Sequence, residues 1–123
     1  MYDAPSPLLT RRSGPAPCSC DAVIALVAQQ KNVPIRLLTH KSRSRQAAAR
    51  ARQLAMYLSH VVLGRSLTEI GEAFGRDRTT VSYACALIED LRDDPRFDAE
   101  VIGFERQLEA GLAEREKELR HAA

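Results

Sequence analysis

The chain has 123 residues, enough for one small helical core but with little room for a large ligand pocket. It carries 18 Lys and Arg against 16 Asp and Glu, a net charge of +2, with few aromatics, no Trp and three cysteines. No apolar run approaches the ~18 residues of a membrane helix, and the three scattered histidines give a catalytic triad no seat.

The charge is unevenly spread. From Ala22 to Thr68 there is no Asp or Glu, while Lys31, Arg36, Lys41, Arg43, Arg45, Arg50, Arg52 and Arg65 supply eight positive charges. From Glu69 onward come 14 of the 16 acids. A basic half before an acidic half points to one face turned to a polyanion and another turned to solvent.

Met1 to Ser19, with Pro5, Pro7, Pro15 and Pro17, has the composition of a disordered tail. Arg11-Arg12 is not followed by an apolar stretch, so no export signal is expected. Cys18-x-Cys20 is too isolated for a zinc site, and reduced thiols in a cytoplasm are the default. Asp21 to Gln30 reads as a helix capped by Asp21, with Val23, Ile24, Leu26 and Val27 apolar. Asn32-Val33-Pro34 interrupts it, and Pro34 can open a short helix through Ile35, Leu37 and Leu38.

His40 to Gln46, HKSRSRQ, is a basic loop suited to phosphates or to placing an Arg in a minor groove. Ala47 to Leu63 is a longer helix buried through Ala51, Leu54, Ala55, Leu58 and Val62. Arg50, Arg52 and Gln53 near its start are candidate phosphate ligands, Met56 and Tyr57 read as core or flank, and His60 as solvent-facing. Gly64 ends this helix, and Arg65 beyond it is a further phosphate candidate.

Ser66 and Glu69 form an S-x-x-E capping box for the next helix, in which Leu67, Ile70, Ala73 and Phe74 recur at helical spacing. Gly75 ends it, Arg76 fills the turn, and Asp77 can cap a second helix buried through Val81, Ala84, Cys85, Ile88 and Leu91. Arg78, Thr79, Ser82 and Tyr83 are left facing outward. Two short helices about a Gly-containing turn make a helix-turn-helix, whose second helix enters the major groove of DNA with its N-terminal residues on the base edges. Asp93-Asp94-Pro95 breaks the chain, and Asp98 to Arg120 is a last helix with Val101, Phe104, Leu108, Leu112 and Leu119 along one side. That side either folds back on the core or pairs with a second copy or a protein partner.

RQLAMYL from Arg52, SLTEIGEAFG from Ser66 and RDRTTV from Arg76, followed by Ala84-Cys85, closely resemble the C-terminal DNA-binding domain (domain IV) of the bacterial replication initiator DnaA. The likeness runs from about Asp21 to Asp94. It implies an all-α, Trp-repressor-like helical domain over residues 20–94, and leaves the tail at 1–19 and the C-terminal helix at 95–123 outside it. It also implies that residues matching Asp77, Thr79 and Thr80 contact bases, that the pair matching Arg52-Gln53 touches backbone, and that an Arg of the basic loop, Arg43 or Arg45, enters the minor groove. Four departures stand out. Arg78 replaces the family's usual His, a single Gly75 its Gly-Gly, Ala51 its Pro, and Ala86-Leu87 its basic pair.

The resulting expectation is sequence-specific binding of double-stranded DNA, as a transcription regulator or a box-binding protein on the nucleoid in the cytoplasm. Arg78 offers two hydrogen bonds to guanine, Thr79 or Thr80 a methyl to thymine, and Asp77 either a helix cap or an acceptor for cytosine N4. Lys41, Arg43, Arg45, Arg50, Arg52, Gln53 and Arg65 would set register on phosphates. No G-x-x-x-x-G-K-[ST] cradle occurs, so no nucleotide, metal or other cofactor and no enzymatic activity are expected, and origin melting by the initiator's route is excluded. The alternative is an adaptor using the same scaffold to hold replication or transcription machinery.

Overall fold

In the computed structural model residues 20–39 and 46–122 are described, and they form six helices. The Pro-rich stretch 1–19 with Cys18, and the loop positions Lys41, Arg43 and Arg45, lie outside the described residues. The helices are α1 (Asp21–Lys31), α2 (Ile35–Thr39), α3 (Gln46–Val61), α4 (Leu67–Phe74), α5 (Arg78–Leu91) and α6 (Pro95–Ala122). The all-α expectation holds.

Helix α3 is the spine. Leu54, Ala55 and Leu58 are fully buried on it, and Met56 and Tyr57 join them in the core. Against it pack Val23 and Val27 of α1, Leu38 of α2, Ile70 and Phe74 of α4, and Val81, Ala84 and Ile88 of α5. Burying an aliphatic or Phe side chain stabilises by about 1.5–3 kcal/mol, so these few residues hold the four flanking helices in place.

Two local expectations are corrected at the start of the chain. Asp21 is the first helical residue rather than the cap: Cys20 occupies the cap position and makes no side-chain cap bond. Asp21 still favours the helix, since a carboxylate in the first turn offsets the positive end of the dipole. The short helix begins at Ile35, with the Pro34 carbonyl accepting from Leu37 N–H at 3.0 Å.

The last helix starts three residues earlier than its apolar pattern suggests. Pro95 opens it, and Asp94 Oδ1 accepts from Arg96 N–H at 3.0 Å. Val101, Phe104 and Leu108 enter the same core as the first five helices. Residue 95 therefore separates elements and not cores. Arg92 fastens the junction: its guanidinium donates to Asp98 at 2.5 Å, to Glu105 at 3.0 Å and to the Tyr57 hydroxyl at 3.0 Å. Tyr57 in turn donates to Glu89 at 2.7 Å. Burial alone would lower the Arg92 pKa, but these hydrogen bonds more than offset it and hold the charge on. Lys31 pairs with Glu100 across α1 and α6. Past Leu108 the helix leaves the core, and Leu119 is 55% exposed.

Candidate nucleic-acid interface

The turn between α4 and α5 is built by caps at both ends. Ser66 Oγ accepts from Glu69 N–H at 3.1 Å while Glu69 Oε1 accepts from Ser66 N–H at 2.9 Å, so the capping box is closed in both directions. Gly75 takes the left-handed conformation at φ 67°, which a side chain would disfavour. Asp77 Oδ1 then accepts from Thr80 N–H at 2.8 Å and caps α5. The cap reading of Asp77 is the one its geometry fills.

The capping box also sets a pH response. The Ser66 backbone N–H holds the Glu69 carboxyl below its ordinary 4.5; burial works the other way, and the Arg65 charge lowers it further. A carboxyl depressed on folding stabilises fully above its unfolded pKa, and that contribution fades as pH falls through the folded value. Thermal melts of wild type and Glu69→Gln should therefore differ at pH 6 and converge as pH drops below about 4. A gap of constant size from pH 6 to pH 3 would show that the charge plays no part.

The four outward positions lie as their spacing requires. Arg78, Thr79, Ser82 and Tyr83 are all exposed, as are Asp77 and Thr80, while Val81, Ala84 and Ile88 on the opposite side are buried. Cys85 is half-buried, and its thiol is pushed up by burial and by Glu89, as befits a packing residue. Thr68, Glu72, Arg76, Asp77, Arg78 and Thr80 border one open cleft between α4 and α5, floored by Gly71.

Gly71 carried no signal in the sequence pattern, which placed Ala73 on the apolar side instead. Ala73 is exposed and Gly71 is buried. A Cβ on Gly71 would lie 2.6 Å from the Arg76 carbonyl oxygen, and Gly71 O accepts from Arg76 N–H at 2.9 Å. The turn thus rests directly on the backbone of α4, which only a residue without a side chain allows.

Of the phosphate candidates, Arg50 and Gln53 stand together on α3, with Arg50 Nε donating to Gln53 Oε1 at 3.1 Å. Arg65 sits at the α3–α4 junction with Nη1 3.7 Å from Glu69. Arg52 departs from the surface role given to it. It is 9% exposed, and its Nη2 donates to the Leu37 carbonyl at 2.9 Å. The last carbonyls of a short helix have no partner of their own, and Arg52 supplies one. Burial and then the nearby Arg76 charge lower its pKa. By tying α2 to α3, Arg52 helps set the end of α2, where the Thr39 carbonyl lies 3.4 Å from the place a Gly75 Cβ would take. Thr39, the last described residue of this stretch, therefore lies right beside the helix-turn-helix turn.

The model of the bacterial dnaA protein helix-turn-helix family matches residues 20–88, more than half of the chain. The chain belongs to that family. The matched DnaA helix-turn-helix takes in α1 to α4 and most of α5, and α6 lies entirely outside it. DNA binding is the activity that a DnaA helix-turn-helix supports. Among the described residues no helix is long and apolar enough to cross a membrane.

Proposed function

We propose that this protein binds double-stranded DNA sequence-specifically, as a transcription regulator or a box-binding protein on the nucleoid, and without hydrolysing a nucleotide. The observation that supports this most is the capped N-terminus of α5. Arg78, Thr79 and Thr80 are exposed there on a helix whose other side is locked into the core. Arg78 reads guanine O6 and N7, and a Thr methyl meets a thymine methyl. Arg50 and Gln53, Arg65 at the α3–α4 junction, and Lys41, Arg43 and Arg45 of the basic loop hold phosphates, with Arg43 or Arg45 in the minor groove. Arg52 acts from inside, by positioning the end of α2. Asp77 serves chiefly as the cap that aims this turn.

Selection of bound sequences from a random duplex pool, followed by gel-shift titration at several salt concentrations, tests the reading. A defined site should emerge, bound tighter than scrambled DNA by about 10³-fold or more. Affinity should fall steeply with salt as phosphate counterions are released. A protein that binds no duplex at low ionic strength would refute it.

The exposed Leu119 and half-buried Leu112 support a second reading, in which the free end of α6 docks a second copy or a protein partner. Because Val101, Phe104 and Leu108 belong to the core, the test is a chain ending after Ala110 and not one ending at Asp94. Loss of partner capture with DNA binding retained would favour it.

A further inference from the structure

We infer that Tyr83 is a DNA-backbone ligand that closes the C-terminal edge of the interface, a deduction resting on the DNA-binding reading of α5. Tyr83 is 66% exposed, the one large hydrophobic side chain left in solvent on α5. The contrast with Tyr57 is direct. Tyr57 is buried and donates its hydroxyl to Glu89, whereas the Tyr83 hydroxyl has no hydrogen-bond partner among the described residues.

Its place on the helix gives the ring a task. Tyr83 lies four residues beyond Thr79, so the two share one face. The Cα–Cβ bond of a helical residue tilts toward the N-terminus, which leans Tyr83 over the turn that holds Thr79 and away from the far end of α5. It stands five residues past Arg78, about 7.5 Å further along the axis. A recognition helix places its first turn on base edges, so a long side chain that much further on reaches the groove wall and not its floor. The wall offers deoxyribose C–H groups for the ring and phosphate oxygens for the hydroxyl to donate to. Beyond Tyr83 the same helix carries Glu89 and Asp90, and Asp93 and Asp94 follow. These acids repel phosphates, so the footprint ends at Tyr83.

Such a contact has a distinctive signature, because a neutral donor displaces no counterion. Tyr83→Phe, which loses only the hydroxyl, should weaken binding about 3- to 10-fold. Tyr83→Ala should weaken it more. Both should act equally on the selected site and on scrambled duplex, with the slope of affinity against salt unchanged. Arg78→Ala, measured alongside, should instead reduce the ratio between the two duplexes. Circular dichroism melts matching wild type confirm that these exposed substitutions leave the fold intact. If Tyr83→Phe and Tyr83→Ala both bind as wild type does while Arg78→Ala loses discrimination, the Tyr83 contact is refuted and the reading of α5 stands. If Tyr83→Ala alters which base is preferred, the residue reads sequence and the backbone assignment is overturned. If wild type binds no duplex at all, both fall together.

Discussion

Gly71→Val is expected to lower the stability of the fold by about 2–3 kcal/mol. The reason is a single distance: any Cβ there would stand 2.6 Å from the Arg76 carbonyl oxygen, with the Asp77 carbonyl carbon at 3.5 Å. Both neighbours are backbone, which cannot rotate away as the tip of a side chain can. Relief requires the whole turn to move, and the turn carries the Asp77 cap and the first residues of α5. The damage should therefore extend to function, with DNA binding weakened even in molecules that stay folded. Gly71→Ala should err in the same direction by less, since the gain of about 1 kcal/mol in helix propensity works against the clash.

Gly103 supplies the control. It too is helical, but a Cβ there would meet nothing within 4 Å. Gly103→Ala should raise stability by about 0.5–1 kcal/mol. Two glycines in helices of one chain thus give opposite signs, and thermal melts of the variants read them. A drop of roughly 10 °C or more is expected for Gly71→Val. A melt coinciding with wild type would mean that the turn does not rest on α4 as closely as described.

That pair also shows where the sequence was legible. The helix ends at Ser66, Gly75 and Asp77 could be read because capping is decided within four residues, and each of those contacts formed as its spacing implied. The buried stripe of α5 could be read because a 3.6-residue period is a local property. Gly71 could not, because its constraint comes from a turn that folds back against it. Arg52 is similar: its charge suggested a surface, and the Leu37 carbonyl that accepts from it lies on another helix, fifteen residues back along the chain. The start of α6 is hidden in the sequence because Pro95 after two Asp has the look of a break, although proline is also well suited to the first helical turn. Arg92, with partners six and thirteen residues along the chain and on α3, had no signature in its own neighbourhood.

The largest effect on function should follow from Arg78. Arg78→Ala is expected to weaken binding to the selected site by about 1–3 kcal/mol, roughly 5- to 150-fold, while scrambled duplex loses much less. The asymmetry arises because two hydrogen bonds to guanine exist only on the right sequence, whereas the attraction of one positive charge exists on all. Arg78→His is the more informative change. His is the residue that the resembling domains usually carry at this step, and the rest of the turn, Asp77, Thr79 and Thr80, already matches them. Their frame is held by the Asp77 cap at 2.8 Å and not by residue 78, whose side chain is exposed. Exchanging it should therefore change the base chosen at one position and leave the neighbouring positions as they were. Sequence selection run on both proteins measures this directly. One altered column among otherwise equal preferences is the expected outcome; identical preferences for wild type, Arg78→His and Arg78→Ala would mean that the first turn of α5 does not read bases.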